Sequence, residues 1–283
     1  MFIVKIPAIN AFGITEGCER AGDAIIKEMK NIWANESGKP VNADSFDLEE
    51  IHIDNFDLEK TNKLIYENSL EIFETKPKTI FLGGDHSISS PIVKAFLDYC
   101  KNQKRVSQVH SASSVNSQSK EPCLIVFDAH PDCMPAKKIS THEDWLSAVI
   151  EHGFPTKNIL LVGIRNSDPE ENTFLKERKI KIIPMNQLLD DLRETCDIIM
   201  EFSKGKELYL SIDIDVIDPA FAPSTGYNAP GGLTSREFIY LLQRINKVKN
   251  LKAIDIVEIN SELDKNNNNL TVKLGAKIVS ELL

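Results

Sequence analysis

A chain of 283 residues, 42% hydrophobic and 27% charged, has ample material for a buried core and fits one large domain or two ordinary ones. Its net charge of −9 and pI near 5.3 argue against a general nucleic-acid or anionic-membrane binder. They fit a soluble protein, with a mild bias toward cationic small substrates.

The elements alternate from end to end. Residues 2–7 read as a first strand, 13–17 as a loop and 19–33 as a helix. Residues 51–53 are a short second strand. Helical periodicity follows over 58–73, where Leu58, Ile65, Leu70, Ile72 and Phe73 share a broad face. A strand over 79–82 is broken by Gly83-Gly84, and a helix runs over 88–100. Residues 102–120, rich in Ser, Gln, Asn and Lys, read as a flexible surface insertion. Strand 123–127 is almost wholly apolar. A helix over 141–151 has Thr141 and Asp144 at its start, spaced like a capping box. Strand 159–162, helix 170–178, strand 180–183 and helix 187–203 follow. Strand 208–212 precedes a long loop over 219–232. Thr234 and Glu237 form a capping box for the next helix. Strand 253–259, an Asn-rich turn over 266–269 and a helix over 270–282 complete the chain.

Strands that are apolar on both faces, each followed by a helix, predict a parallel sheet covered on both sides. A closed eight-stranded barrel is the competing topology. With no internal repeat and no linker, residues 1–283 read as one domain. The cysteines Cys18, Cys100, Cys123, Cys133 and Cys196 are odd in number and contain no C-x-x-C pair. That argues for reduced thiols and a cytoplasmic setting, against a disulfide framework and against a thiolate zinc site. Residues 1–7 are too short and wrongly flanked for a signal peptide, and no apolar run reaches bilayer length.

Three apolar strands end in polar clusters: Gly83-Gly-Asp-His-Ser87, Asp128-Ala-His-Pro-Asp132 and Ser211-Ile-Asp-Ile-Asp215. Asp213 and Asp215 lie two apart, so on a strand both point the same way and repel unless a cation sits between them. In a parallel sheet the carboxyl ends of the strands share one edge, where ligands bind. The pooled candidate ligands are His86, Asp128, His130, Asp132, Asp213 and Asp215. One divalent ion against four carboxylates leaves a costly negative excess, whereas two balance it. Oxygen-rich ligation without thiolate favours Mn²⁺, two per chain, with Fe²⁺, Co²⁺, Ni²⁺ and catalytic Zn²⁺ beside it. Each cluster alone has a plainer reading as a helix cap, a turn or a core histidine. Three at consistent strand ends do not.

Together with the continuation through Asp218-Pro-Ala-Phe-Ala-Pro223 and Pro230-Gly-Gly-Leu-Thr234, these stretches resemble the three signature motifs of the ureohydrolase (arginase/agmatinase) family, in the same order. The resemblance runs from about Gly13 to the C-terminus. It implies a three-layer α/β/α sandwich with a mostly parallel eight-stranded sheet, and a dinuclear manganese centre on the six residues above. The implied reaction is attack of a metal-bridging hydroxide on a guanidinium carbon with release of urea. Asp132 or Asp215 would then steady the tetrahedral centre or pass a proton to the leaving amine. The resemblance also makes Glu258 the carboxylate that clamps the guanidinium, His142 the proton shuttle, and Asp168 a contact for a substrate amine. Asp85 and Asp218 would orient the ligands. It further implies a homo-oligomer, trimeric or hexameric.

Substrate choice is where the chain departs from the family. The loop Cys133-Met-Pro-Ala-Lys-Lys-Ile-Ser-Thr-His142 lacks the Ser/Asn-rich pattern of arginases, and offers Lys137 and Lys138 to a substrate carboxylate instead. Ser224, Tyr227 and Ser261 also depart from the usual pattern. Beside the guanidino reading, arginase or agmatinase in type, stand formimino hydrolysis of the formimidoylglutamase kind and an inactive scaffold. Zinc deacetylation on a related fold would need adjacent histidines, and the chain has no His-His pair. A nucleic-acid partner and a membrane are not expected.

Overall fold

The computed structural model describes residues 2–10, 13–110 and 121–283. Eight strands form a single sheet: β1 Phe2–Lys5, β2 Asp47–Glu50, β3 Thr79–Leu82, β4 Pro122–Phe127, β5 Ile159–Ile164, β6 Lys181–Pro184, β7 Glu207–Asp213 and β8 Leu251–Val257. Their order across the sheet is β2-β1-β3-β8-β7-β4-β5-β6, and every neighbouring pair is parallel. The open sheet disposes of the barrel alternative.

Side chains alternate across the sheet and feed two separate apolar layers. Ile3, Ile80, Leu82, Leu208, Leu210 and Ile212 pack on one face, against α1 (Ala21–Met29), α6 (Met185–Asp190), α7 (Leu192–Ser203), α8 (Ser235–Ile245) and α10 (Leu270–Glu281). Phe2, Val4, Phe81 and Tyr209 pack on the other, against α2 (Leu58–Thr75), α3 (Ser89–His110), α4 (Trp145–Glu151) and α5 (Pro169–Arg178). The result is the expected three-layer α/β/α sandwich. The remaining helix, α9 (Ser261–Asp264), is a single turn after β8.

Several boundaries differ from the sequence reading: the first strand and first helix are shorter (Phe2–Lys5 and Ala21–Met29), the last strand lies two residues earlier (Leu251–Val257), and four other differences have a local cause. The second strand is Asp47–Glu50 rather than 51–53, and all four of its residues are exposed at the sheet edge. The helix expected over 88–100 continues to His110, so the expected insertion begins as helix; residues 111–120 lie outside the described residues. The helix expected over 187–203 is two helices, broken where Asp191 caps α7 by accepting from Arg193 N and Glu194 N. α4 starts at Trp145, not at Thr141. The side chain of Asp144 instead accepts from Thr141 N, Thr141 Oγ1 and Lys137 N, closing the loop that precedes the helix.

The central strands β3, β8, β7 and β4 end side by side. β3 exits through Gly83-Gly84 because the chain passes against the end of β1. A Cβ on Gly84 would lie 1.9 Å from Ala8 O. At the exit of β5, Gly163 takes φ +100 with Val216 2.6 Å from where its Cβ would be, so only glycine fits there.

Candidate metal centre

Each strand exit holds one carboxylate oxygen with a backbone N–H and leaves the other aimed inward. Asp128 Oδ1 accepts from His130 N (2.6 Å), Asp213 Oδ1 from Asp215 N (2.8 Å) and Asp215 Oδ1 from Ala129 N (2.9 Å). Asp132 sits in the left-handed region (φ 51), and its Oδ2 accepts from Trp145 Nε1 at 3.0 Å. The inward oxygens converge on two imidazoles. His86 Nδ1 lies 3.1, 2.8 and 3.2 Å from Oδ2 of Asp128, Asp132 and Asp213. His130 Nδ1 lies 2.8 Å from Asp215 Oδ2 and 3.7 Å from Asp128 Oδ1. The six residues pooled from sequence therefore form two groups, His86–Asp128–Asp132–Asp213 and Asp128–His130–Asp215, with ligand atoms within 4.8 Å of one another in each. Asp128 belongs to both.

The hydrogen bonds behind His86 decide what its Nδ1 can do. Asp255, fully buried, accepts from Ser211 Oγ (2.6 Å), Tyr209 OH (2.7 Å) and Ser89 Oγ (2.7 Å). Ser211 has one proton and gives it to Asp255, so its oxygen accepts from His86 Nε2 at 3.0 Å. That places a proton on Nε2 and turns Nδ1 toward three carboxylates. Against the cost of burial, these push the imidazole well above its ordinary range, so that Nδ1 binds a proton in the bare chain where a metal ion would bind instead. His86 Nδ1 and Asp128 Oδ2 are both buried without a properly formed hydrogen bond. A ring nitrogen set among carboxylate oxygens in this way fits a bound cation, with the proton it exchanges for the metal ion as the competitor.

The electrostatics agree. Burial, then the charges of Asp132, Asp215 and Asp213, push the Asp128 carboxyl well above the carboxylate range. Burial, then Asp215, push Asp213 up to about 7. Asp215 moves the other way: burial opposes its charge, but the bond and charge of His130, the Ala129 N–H and the charge of Arg165 together outweigh it. A divalent cation in each group would hold the carboxylates ionised where protons otherwise would. The hard oxygens with one imidazole per group suit manganese and its first-row neighbours.

Beside this cluster opens a cleft of ≈ 440 Å³ lined by Asp132, Asp213, Asp215 and His130, and also by Glu258, His142 and Asp168. Glu258 is buried and takes φ 64, a conformation costly for a non-glycine residue. Its N–H donates to Gly84 O (2.9 Å), its Oε1 accepts from His86 N (2.8 Å), and its Oε2 has no partner. Burial, then Asp213 and Asp85, push its carboxyl well up. His142 stacks on Tyr227 (centroids 5.4 Å apart, 26° between planes), and neither of its ring nitrogens has a hydrogen-bond partner. Asp168 uses Oδ1 to cap α5 at Glu170 N, and faces the cleft mouth.

Lys137 and Lys138 do not serve as imagined. Both are exposed away from the cleft lining, and Lys138 pairs with Glu59. Asp218 touches no ligand and instead ties down the loop at Gly231 N (2.7 Å) and Gly232 N (3.1 Å). Asp85 accepts from Asn10 N (2.6 Å) and Thr15 Oγ1 (3.0 Å), and sets the turn that presents His86. Ser224 and Ser261 are structural: one bonds Asp264 (2.7 Å), the other Gly17 O (3.1 Å). Sequence reasoning missed Ser211, Asp255 and Arg165. Arg165 Nη2 donates to Asp215 O (2.6 Å) and Ala229 O (2.5 Å), pinning the backbone beneath the second group.

Comparison with known proteins places this arrangement. A model of the Arginase family matches residues 1–283. An arginase of Staphylococcus aureus is 28% identical over 255 residues, covering 80% of this chain and 75% of that one. An N(1)-aminopropylagmatine ureohydrolase of Thermus thermophilus is 27% identical over 209 residues, covering 71% of this chain and 61% of that one. The crystal structure of formimidoylglutamase from Bacillus subtilis superposes with a TM-score of 0.82 at 22% identity, covering 99% of this chain and 84% of that one.

Proposed function

The chain belongs to the arginase family, whose members hydrolyse amidine and guanidino C–N bonds, and from that premise we propose that it releases urea from a guanidino compound. Two divalent cations, manganese first among the candidates, would be held by His86, Asp128, Asp132 and Asp213 and by Asp128, His130 and Asp215. The chemistry such ions supply is a water acidic enough to yield a nucleophile near neutral pH. The observation that carries the guanidino reading is Glu258. It is a buried carboxylate with one oxygen unpartnered, beside the cluster and facing the cleft. A planar guanidinium offers that oxygen a charge-assisted bond and removes the penalty of its isolation.

Three other side chains divide the remaining work. Asp132 and Asp215, at the cleft floor, are placed to take the proton of the attacking water and return it to the leaving amine. His142, which lines the cleft with both ring nitrogens buried and unpartnered and with Tyr227 stacked on its ring, is the group we assign to relay that proton out of the cleft. We assign one ureohydrolase-like domain to residues 1–283. A homo-oligomer, trimer or hexamer, follows by family analogy. Five buried free thiols suit the cytoplasm, and no described helix is long and apolar enough to cross a membrane.

The test is turnover of Mn²⁺-loaded protein on arginine, aminoalkylguanidines, guanidino acids and formiminoglutamate, with a chelated control and metal content measured in parallel. Chelator-sensitive urea is the expected result. Formamide would move the chain to the formimino branch, and no product with two metals bound would refute the guanidino assignment.

A further inference from the structure

Lys78 joins α2 to β3 at the end of the sheet opposite the metal cluster, where the ends of α8 and α10 meet. Its Nζ donates to Asn246 Oδ1 (2.7 Å) and to Leu282 O (3.0 Å). Asn246 Nδ2 donates in turn to Glu281 O at 3.0 Å, which fixes the amide with its oxygen toward Lys78. Both acceptors are uncharged, and among the described residues no carboxylate pairs with this amine.

The count of hydrogen bonds matches a neutral amine. Two acceptors take its two hydrogens and leave the lone pair free, whereas an ammonium would bring a third hydrogen to place. Burial, then the charge of Lys39, lower the amine from 10.5 to about 8. At pH 7.5 roughly a quarter of the molecules then hold the nucleophilic form, against about one in a thousand for an amine at 10.5.

Asn246 lines a hollow of ≈ 430 Å³ together with Lys39, Lys247, Glu36 and Glu281. The two glutamates are already matched, Glu36 by Arg236 (2.8 Å) and Glu281 by Lys277 (2.5 Å). Lys39 bonds Leu283 O (2.6 Å) and still acts on Lys78 as a positive charge. Lys252, in register with Lys78 across the sheet, is turned to Lys76 O and the Tyr99 ring. An uncharged nucleophile thus stands beside cations with no anion of its own.

We propose that Lys78 is a modification site for carbon dioxide, forming a carbamate whose charge Lys39 and Lys247 oppose. Carbon dioxide brings no charge into a half-buried place and needs no leaving group. The Nζ lone pair bonds to the carbon, one C=O pair moves onto oxygen, and one N–H proton passes to water. The remaining N–H keeps one of the two acceptors. The inference does not depend on the guanidino reading, since none of these residues lines the cleft.

The experiment equilibrates the Mn²⁺-loaded protein at pH 7.5 with ¹³C-labelled bicarbonate and carbon dioxide. Triethyloxonium ion traps carbamates as ethyl esters, and peptide mass spectrometry locates the label. The labelled fraction at Lys78 should exceed that at any exposed lysine by at least about tenfold. Lys39→Met, a change at an exposed side chain, should lower it several-fold. Asn246→Asp, which gives the amine a carboxylate partner and favours the ammonium, should bring it to the level of exposed lysines. A fraction at Lys78 no higher than elsewhere, or one unchanged in both variants, would overturn the inference. The native measurement needs no variant, so it decides the matter even if Asn246→Asp folds poorly.

Discussion

Replacing Ser211 by alanine tests the whole argument for the metal centre with one oxygen atom. In the native chain Ser211 Oγ stands between His86 Nε2 (3.0 Å) and Asp255 Oδ1 (2.6 Å). The alanine variant leaves the ring N–H of a fully buried histidine without an acceptor. An unmet donor in such a place costs about 1–3 kcal/mol. The cost falls on the metal-bound state, because only there is the ring locked with Nδ1 toward the ion. Without metal the ring can carry its proton on Nδ1, toward the three carboxylates. Affinity for Mn²⁺ should therefore drop about 10- to 100-fold, the range expected when a residue that orients a ligand is lost. Competition with a calibrated chelating indicator measures this directly. Asp255→Asn should do worse, since an amide can donate to Ser211 and turn its hydroxyl proton toward Nε2, which forces the wrong tautomer. A Ser211→Ala protein that binds Mn²⁺ within about twofold of the native chain would refute the assignment of His86 Nδ1 as a ligand.

Three further outcomes are expected. Stripping divalent ions with a chelator should lower the melting temperature, and Mn²⁺ should restore it, because four clustered carboxylates would lose the charges opposing them; identical melting curves with and without chelator would contradict this. Glu258→Gln should reduce kcat/KM about 100- to 1000-fold, as when one partner of a buried ion pair is removed. Its melting temperature should not fall, since burial already disfavours the Glu258 charge in the folded chain, and a variant within tenfold of native activity would remove Glu258 from its role. Lys78, at the amino end of β3 and so at the end opposite the metal cluster, gives a pH signature. Burial, then the charge of Lys39, lower its amine from 10.5 to about 8, although it donates to Asn246 Oδ1 (2.7 Å) and Leu282 O (3.0 Å). Between those values the unfolded chain holds the proton more tightly, so stability should rise with pH from about 8 to 10.5, by up to roughly 3 kcal/mol. Denaturant titrations should show that rise in the native chain and not in Lys78→Met.

The parts of the site that were legible in the sequence are those where chemistry leaves no substitute. A strand that ends in Asp-x-Asp or Asp-x-His-x-Asp advertises itself because buried apolar residues run straight into charge, as at Phe127-Asp128 and Ile212-Asp213. The groups that hold those ligands do not. Ser211 and Asp255 lie within strands and pair across β7 and β8, and that adjacency exists only once the sheet order is known. Arg165 works through carbonyls, which no sequence pattern displays. The errors in element boundaries have the same root. β2 is Asp-Leu-Glu-Glu, wholly exposed and paired on one side only, so it shows no burial alternation to detect. The last turns of α3 are mostly polar, with only Val106 and Val109 apolar after Cys100, too few to mark a stripe.

Asp132 and Glu258 connect the fold to its proposed work. Both are non-glycine residues with positive φ, and both lie where a strand exit meets the cleft. A glycine in either place would relax the backbone and is what local preference asks for. Keeping a carboxylate there costs on the order of 1–3 kcal/mol at each position, and for Glu258 a buried charge besides. The packing repays only part of that: Asp132 Oδ2 accepts from Trp145 Nε1 and Glu258 Oε1 from His86 N, but Glu258 Oε2 has no partner, and Asp132 presents its carboxylate to a cluster that already holds three others. Two such strains in the lining of one cleft make sense if a cation and a cationic substrate complete them. In that case the stabilisation missing from the bare chain is the free energy that binding returns.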